Sequence, residues 1–173
     1  AASGLHAGPD GRALAATGPV PQHAQGREGR LEFRTGLGAF TLTAKADRLE
    51  VGPGPIGRIL DYKTGAPPSP DMVKSGFSPQ LTLTGAILAA GGFPDLGPLI
   101  AEELSYVRLT GRRPAGEIRS ALPETLTPES AAAAALEGLV RRITDFDDRE
   151  KAYVSRTAPA RVKLYDSDYD HLA

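Results

Sequence analysis

The chain has 173 residues, 20 of them Gly and 15 Pro, with no Cys and no Trp; 20 Lys+Arg against 21 Asp+Glu leave a net charge of −1. The length suits one domain with a real core, and the charge excludes a polybasic arm or a wholly basic binding face. Without cysteine the chain holds no disulfide, thiolate zinc site, cysteine nucleophile or iron–sulfur cluster of its own, and no apolar run reaches the roughly 20 residues that span a bilayer.

Residues 1–29 read as an irregular lead-in, rich in Gly and Pro, with only Leu5, Leu14 and Val20 as large aliphatics. No basic-then-apolar leader opens it, so no secretory signal is expected. From Arg30 the pattern changes. Leu31, Phe33 and Thr35 alternate with charged residues, Gly36-Leu37-Gly38 signals a turn, and Phe40, Leu42, Ala44 and Ala46 alternate with polar partners. This predicts a hairpin whose second strand continues to about Val51. Gly52 to Pro55 is a turn, and Ile56 to Tyr62 a third strand, giving an antiparallel meander. The run Ala66-Pro67-Pro68-Ser69-Pro70 reads as irregular.

A helix is predicted after it, with Ser78 as N-cap, Pro79 at the first helical position and Gly91-Gly92 closing the end. Its apolar side is Leu81, Leu83, Ile87 and Leu88. A strand at Leu104 to Leu109 and a turn at Gly111 to Pro114 follow. Thr127-Pro128-Glu129 opens a second helix with a stripe of Ala132, Leu136, Leu139, Val140 and Ile143. The order βββαβα joins a meander to an α–β crossover: a mixed sheet in an α/β layer fold.

Gly52-Pro-Gly54-Pro-Ile-Gly57 matches G-x-G-x-x-G in letters only. Two prolines remove N–H donors and a strand, not a helix, comes next, so it reads as a turn. Neither a Walker loop nor a Gly-x-Ser-x-Gly elbow occurs. His6, His23 and His171 are too scattered for a metal set.

The informative group is Asp47 with Asp61-Tyr62-Lys63. The short turn between the second and third strands makes them neighbours, so the two carboxylates can meet at one place. A pair of half-buried carboxylates repels unless a cation lies between them, and an oxygen-seeking ion such as Mg²⁺ suits them. Lys63 falls on the Asp61 face by strand alternation; Tyr62 points away, but its backbone carbonyl can face the site as a further ligand. Asp, Asp and Lys around a metal suit phosphodiester hydrolysis. Spacing alone leaves an ordinary surface ion pair equally open. Arg108, Arg112, Arg113 and Arg119 gather near the turn after the fourth strand, either as a solvated turn or as phosphate contacts.

Ala46-Asp47-Arg48-Leu49-Glu50, Ile59-Leu60-Asp61-Tyr62-Lys63-Thr64-Gly65 and Gln80-Leu81, in this order and spacing, resemble the RecB-like nuclease branch of the PD-(D/E)XK superfamily. The similarity is greatest to the C-terminal nuclease domain of AddB-type double-strand-break repair proteins and covers about residues 30–173. Pro67-Pro68-Ser69, Gly76-Phe77-Ser78-Pro79, Gly91-Gly92-Phe93 and the tail Asp168 to Ala173 support it. The resemblance implies a restriction-endonuclease-like mixed sheet flanked by helices, and a metal-dependent DNA nuclease of exonuclease type. Asp47 and Asp61 are implied as ligands of Mg²⁺ or Mn²⁺, Lys63 as the residue serving the attacking water, and Gln80 as a support of the site or a DNA contact. DNA and a helicase–nuclease partner subunit are the implied partners, with no membrane, in the bacterial cytoplasm at the nucleoid. Three features depart from the pattern. Thr84 stands where a tyrosine usually follows the glutamine, no upstream histidine matches (His6 lacks the apolar surroundings), and the chain stops early, as a fragment incomplete at both ends. Many relatives carry four cysteines for an iron–sulfur staple; their absence implies a cluster-free branch. A nuclease fold without turnover, kept for DNA tracking or subunit docking, is the competing reading.

Overall fold

The computed structural model describes residues 22–111 and 113–153. Its elements run β1 (Gln22–Thr35), β2 (Gly38–Val51), β3 (Ile56–Lys63), α1 (Pro70–Lys74), α2 (Gln80–Ala89), β4 (Ile100–Leu109), β5 (Gly116–Ser120) and α3 (Pro128–Phe146). Among the described residues one sheet has the order β1-β2-β3-β4-β5. The β1–β2 and β2–β3 pairs are antiparallel, β3–β4 is parallel through the α2 crossover, and β4–β5 is antiparallel. This is the expected α/β architecture of a meander followed by a crossover. No described helix is long and apolar enough to cross a membrane.

Four local expectations are corrected. β1 begins at Gln22 rather than Arg30, because β2 pairs with it as far as Gln22↔Val51 and supplies the hydrogen bonds that its own sequence does not advertise. Residues 1–21, with His6, lie outside the described residues, as do Arg112, His171 and the tail from 154. Pro70 is not irregular: it is the first residue of α1, capped by Ser69, whose Oγ accepts from the Met72 N–H at 3.3 Å. Ser78 does not cap α2. Its N–H donates to the Met72 carbonyl and so finishes the α1 turn, leaving Pro79 as N-cap and Gln80 as the first helical residue. β5 is an added strand, running along the far edge of β4.

The core lies between the sheet and α2. Leu49, Ile59, Leu104 and Tyr106 from the strands meet Leu81, Ile87 and Leu88 from the helix. α2 is buried on nearly every side, since α3 covers its outer face. There the small residues Gly85 and Ala132 set the approach: a Cβ on Gly85 would stand 3.3 Å from that of Ala132. α3 starts as its sequence predicts, with Thr127 Oγ1 accepting from the Ser130 N–H at 3.2 Å. Its buried residues are Ala131 and Ala132, while the Leu136, Leu139, Val140 and Ile143 stripe is half-buried. Gly91 and Gly92 end α2 by donating to the Leu88 and Ile87 carbonyls.

The sheet also does something that alternation does not foresee. In β2 the even positions Leu42, Ala44 and Ala46 face the core, and then Leu49 and Val51 do. The strand therefore turns its inner face over between Ala46 and Leu49. Gly26, with φ +63°, lies across from this point in β1, where the hairpin absorbs the twist. The β2–β3 ladder spans only Arg48↔Leu60 to Val51↔Gly57. Beyond it β2 leaves with β1, and the sheet forks at Asp47 and Asp61. The Gly52–Gly57 segment is the hairpin turn expected, closed by Gly52 N–H donating to the Ile56 carbonyl at 3.0 Å.

Candidate active site

The fork sits at the carboxyl end of β3, beside the first residue of α2. On β3, Ile59 ends the core, and Asp61 and Lys63 follow on the same face. Asp61 is only 3% exposed. Its Oδ1 accepts from Gln80 Nε2 at 2.7 Å, so the start of α2 fixes the carboxylate plane. Its Oδ2 lies 2.6 Å from Lys63 Nζ, an ion pair by distance, yet that buried oxygen accepts no well-angled hydrogen bond and keeps lone pairs free. Lys63 also donates to Gln80 Oε1 at 3.5 Å and stands 5.9 Å above the Tyr106 ring. Asp61, Lys63 and Gln80 thus form one connected set, as the spacing led one to expect for the first two.

Asp47 is exposed on the neighbouring strand, one position past the last β2–β3 pair and across from Asp61. Its Oδ2 accepts from the Tyr62 N–H at 3.0 Å, where a ladder bond would otherwise stand. In a strand the N–H and C=O of one residue point to the same edge, so the Tyr62 carbonyl faces this opening too. The Tyr62 side chain lies on the opposite face, where Arg48 Nη1 donates to its hydroxyl at 3.5 Å. That bond, with Glu50 alongside, raises the Arg48 guanidinium above its ordinary value against the opposing effect of burial.

Thr84, four residues after Gln80, is buried and donates from Oγ1 to the Gln80 carbonyl at 2.7 Å. It braces the turn that carries Gln80 and does not reach the site surface. Tyr106, in register with Asp61 on β4, is a member of the site that sequence reading missed. Burial, and then the Asp61 charge, push its hydroxyl up to about 12. No local pattern marks it; only the parallel β3–β4 register brings it under Lys63.

Among the described residues no three His, Cys, Asp or Glu side chains gather as a ready metal set. The oxygens on offer are the Asp47 carboxylate, the free lone pairs of Asp61 Oδ2 and the Tyr62 carbonyl. An all-oxygen set with two carboxylates fits a hard divalent cation such as Mg²⁺ or Mn²⁺, with water and phosphate completing the shell. The pattern describing the PD-(D/E)XK nuclease superfamily matches residues 12–158. No curated protein and no solved structure matches the chain.

Proposed function

Since the chain belongs to the PD-(D/E)XK nuclease superfamily, we infer that it is a metal-dependent deoxyribonuclease that hydrolyses phosphodiester bonds in an exonuclease manner. The observation that carries this reading is the Asp61–Gln80–Lys63 set beside Asp47 at the sheet fork. Its place is in the RecB-like branch, as the nuclease domain of an AddB-type helicase–nuclease assembly that repairs double-strand breaks in the bacterial cytoplasm. The Ala46-Asp47-Arg48 and Asp61-Tyr62-Lys63-Thr64-Gly65 segments with Gln80 support that placement. DNA is the substrate, and a partner helicase delivers it, in keeping with the net charge of −1.

Asp47, Asp61 and the Tyr62 carbonyl would hold the divalent cation, which when bound supplies Lewis acidity to water and offsets negative charge on phosphate oxygens. Gln80 keeps the Asp61 carboxylate turned toward the opening while receiving Lys63 on its other amide atom. Lys63 Nζ, an ammonium with three donors, orients the attacking water and neutralises charge that builds on the phosphate. Closure of the floor by Tyr106 keeps bulk water from that side, which strengthens each of these interactions.

The test is cleavage of labelled linear DNA in Mg²⁺ or Mn²⁺ by the chain and by Asp61→Ala and Lys63→Ala. Each variant is expected to lose roughly a hundredfold or more in rate. Equal cleavage by all three overturns the assignment. A nuclease-fold module without turnover has one observation on its side, the supply of only two carboxylates among the described residues, and is the outcome if the unaltered chain binds DNA but never cuts it.

A further inference from the structure

Along the inner face of β3 and β4 three register pairs run toward the carboxyl ends: Ile59 with Leu104, Asp61 with Tyr106, and Lys63 with Arg108. The face passes from apolar core to ionic surface in three steps. Arg108 closes this row, two residues beyond Tyr106 and on its face. Its Nε is buried and has no hydrogen-bond partner among the described residues. A buried N–H donor is ordinarily given an acceptor, and this half-buried side chain has none for its Nε among the described residues.

The adjacent strands do not supply it. Glu117, in register with Arg108 on β5, is already bound by Arg119 Nε at 2.7 Å. On β3 the neighbour is Lys63, another cation, and like charges in register repel. Lys63 is balanced by Asp61; Arg108 has no such balance there. An anion entering the open end of this face would satisfy the guanidinium and relieve the repulsion together.

We propose that Arg108 binds a backbone phosphate of the substrate strand next to the scissile linkage, so that β4 supplies the grip and β3 the chemistry. This rests on the nuclease reading above and deepens it. A guanidinium suits the task because its planar fork meets two non-bridging oxygens at once and keeps its charge at every working pH. Such a contact positions the strand and carries no base preference.

Binding is measured with the full chain in chelator, where no cleavage intervenes, by fluorescence anisotropy of a labelled oligonucleotide over a salt series. Arg108→Ala is expected to weaken binding about tenfold and to reduce the slope of log affinity against log salt by about one. Single methylphosphonate linkages are then walked along the strand. One position should weaken the unaltered chain and leave Arg108→Ala indifferent. Unchanged affinity and slope, the absence of any such position, or no measurable binding by the unaltered chain at low salt each overturn the proposal. So does recovery of DNA affinity and thermal midpoint by Arg108→Met, which would show the stem to be packing. Cleavage is scored separately. Asp61→Ala cutting at full rate overturns the nuclease reading, whereas Asp61-dependent cutting with Arg108-independent binding overturns only the role of Arg108.

Discussion

Gln80 holds Asp61 by a single amide-to-carboxylate hydrogen bond of 2.7 Å, and the carboxylate it holds is almost wholly buried. Removing that donor leaves a buried charge with Lys63 alone, so Gln80→Ala is expected to lower stability by about 1–3 kcal/mol, read as the urea midpoint at constant slope. Gln80→Glu removes the donor and also places a second carboxylate against Asp61, so it should cost more than Gln80→Ala in the same urea measurement. Tyr106 makes a different prediction. Its hydroxyl stays protonated to about 12 in the folded chain and ionises near the ordinary 10.0 once unfolded. A raised acid of this kind favours the unfolded state as pH climbs, so its contribution is whole below pH 10 and lost on the way to 12. Tyr106→Phe should flatten that part of the alkaline unfolding curve. Asp61 and Lys63 were legible as a pair because strand alternation is a local rule. Tyr106 was not, and Arg108 was legible only as one of four arginines near a turn, since the place of both beside Asp61 and Lys63 depends on a parallel register between strands separated by a whole helix.

At the level of elements, the long hairpin and α2 meet where Arg30 N–H donates to the Gly92 carbonyl at 2.9 Å. A Cβ at Gly92 would fall 2.1 Å from the Arg30 carbonyl oxygen, with backbone on both sides of the clash. Gly92→Ala is therefore expected to cost roughly 3 kcal/mol or more and to loosen β1 ahead of the rest of the sheet, visible as faster amide exchange in residues 27–34. Thr127→Ala, by contrast, removes one cap and should cost only about 1 kcal/mol. The strong elements were readable: β2 and β3 from alternation, α3 from its cap and first-turn proline. β5 was not, because Gly116-Glu117-Ile118-Arg119-Ser120 is short and polar and becomes a strand only when β4 offers an edge. The first half of β1 stayed hidden for the same reason. The Ser78–Pro79 start missed by one residue because α1, itself unforeseen, takes the Ser78 amide.

Across the whole molecule the core and the site share one continuous row of side chains, so a ligand at the open end stabilises the fold as a unit. A divalent cation at tenfold its dissociation constant should add about 1.4 kcal/mol, raising the thermal midpoint, and Asp61→Asn should erase that shift. This readout needs no DNA and no turnover. The fork in the sheet bears on how such variants are designed. At the point where β2 parts from β3, Asp47 stands in for a missing strand and satisfies the Tyr62 amide. An alanine at 47 thus performs two operations at once, deleting a charge and unpinning a backbone edge, and its phenotype cannot be divided between them. Asp47→Asn retains an oxygen for the amide and discards only the charge. The difference between the alanine and asparagine variants is then a measure of what the anchor contributes to the shape of the fork, and the asparagine variant against the unaltered chain is the cleaner gauge of the carboxylate's chemistry.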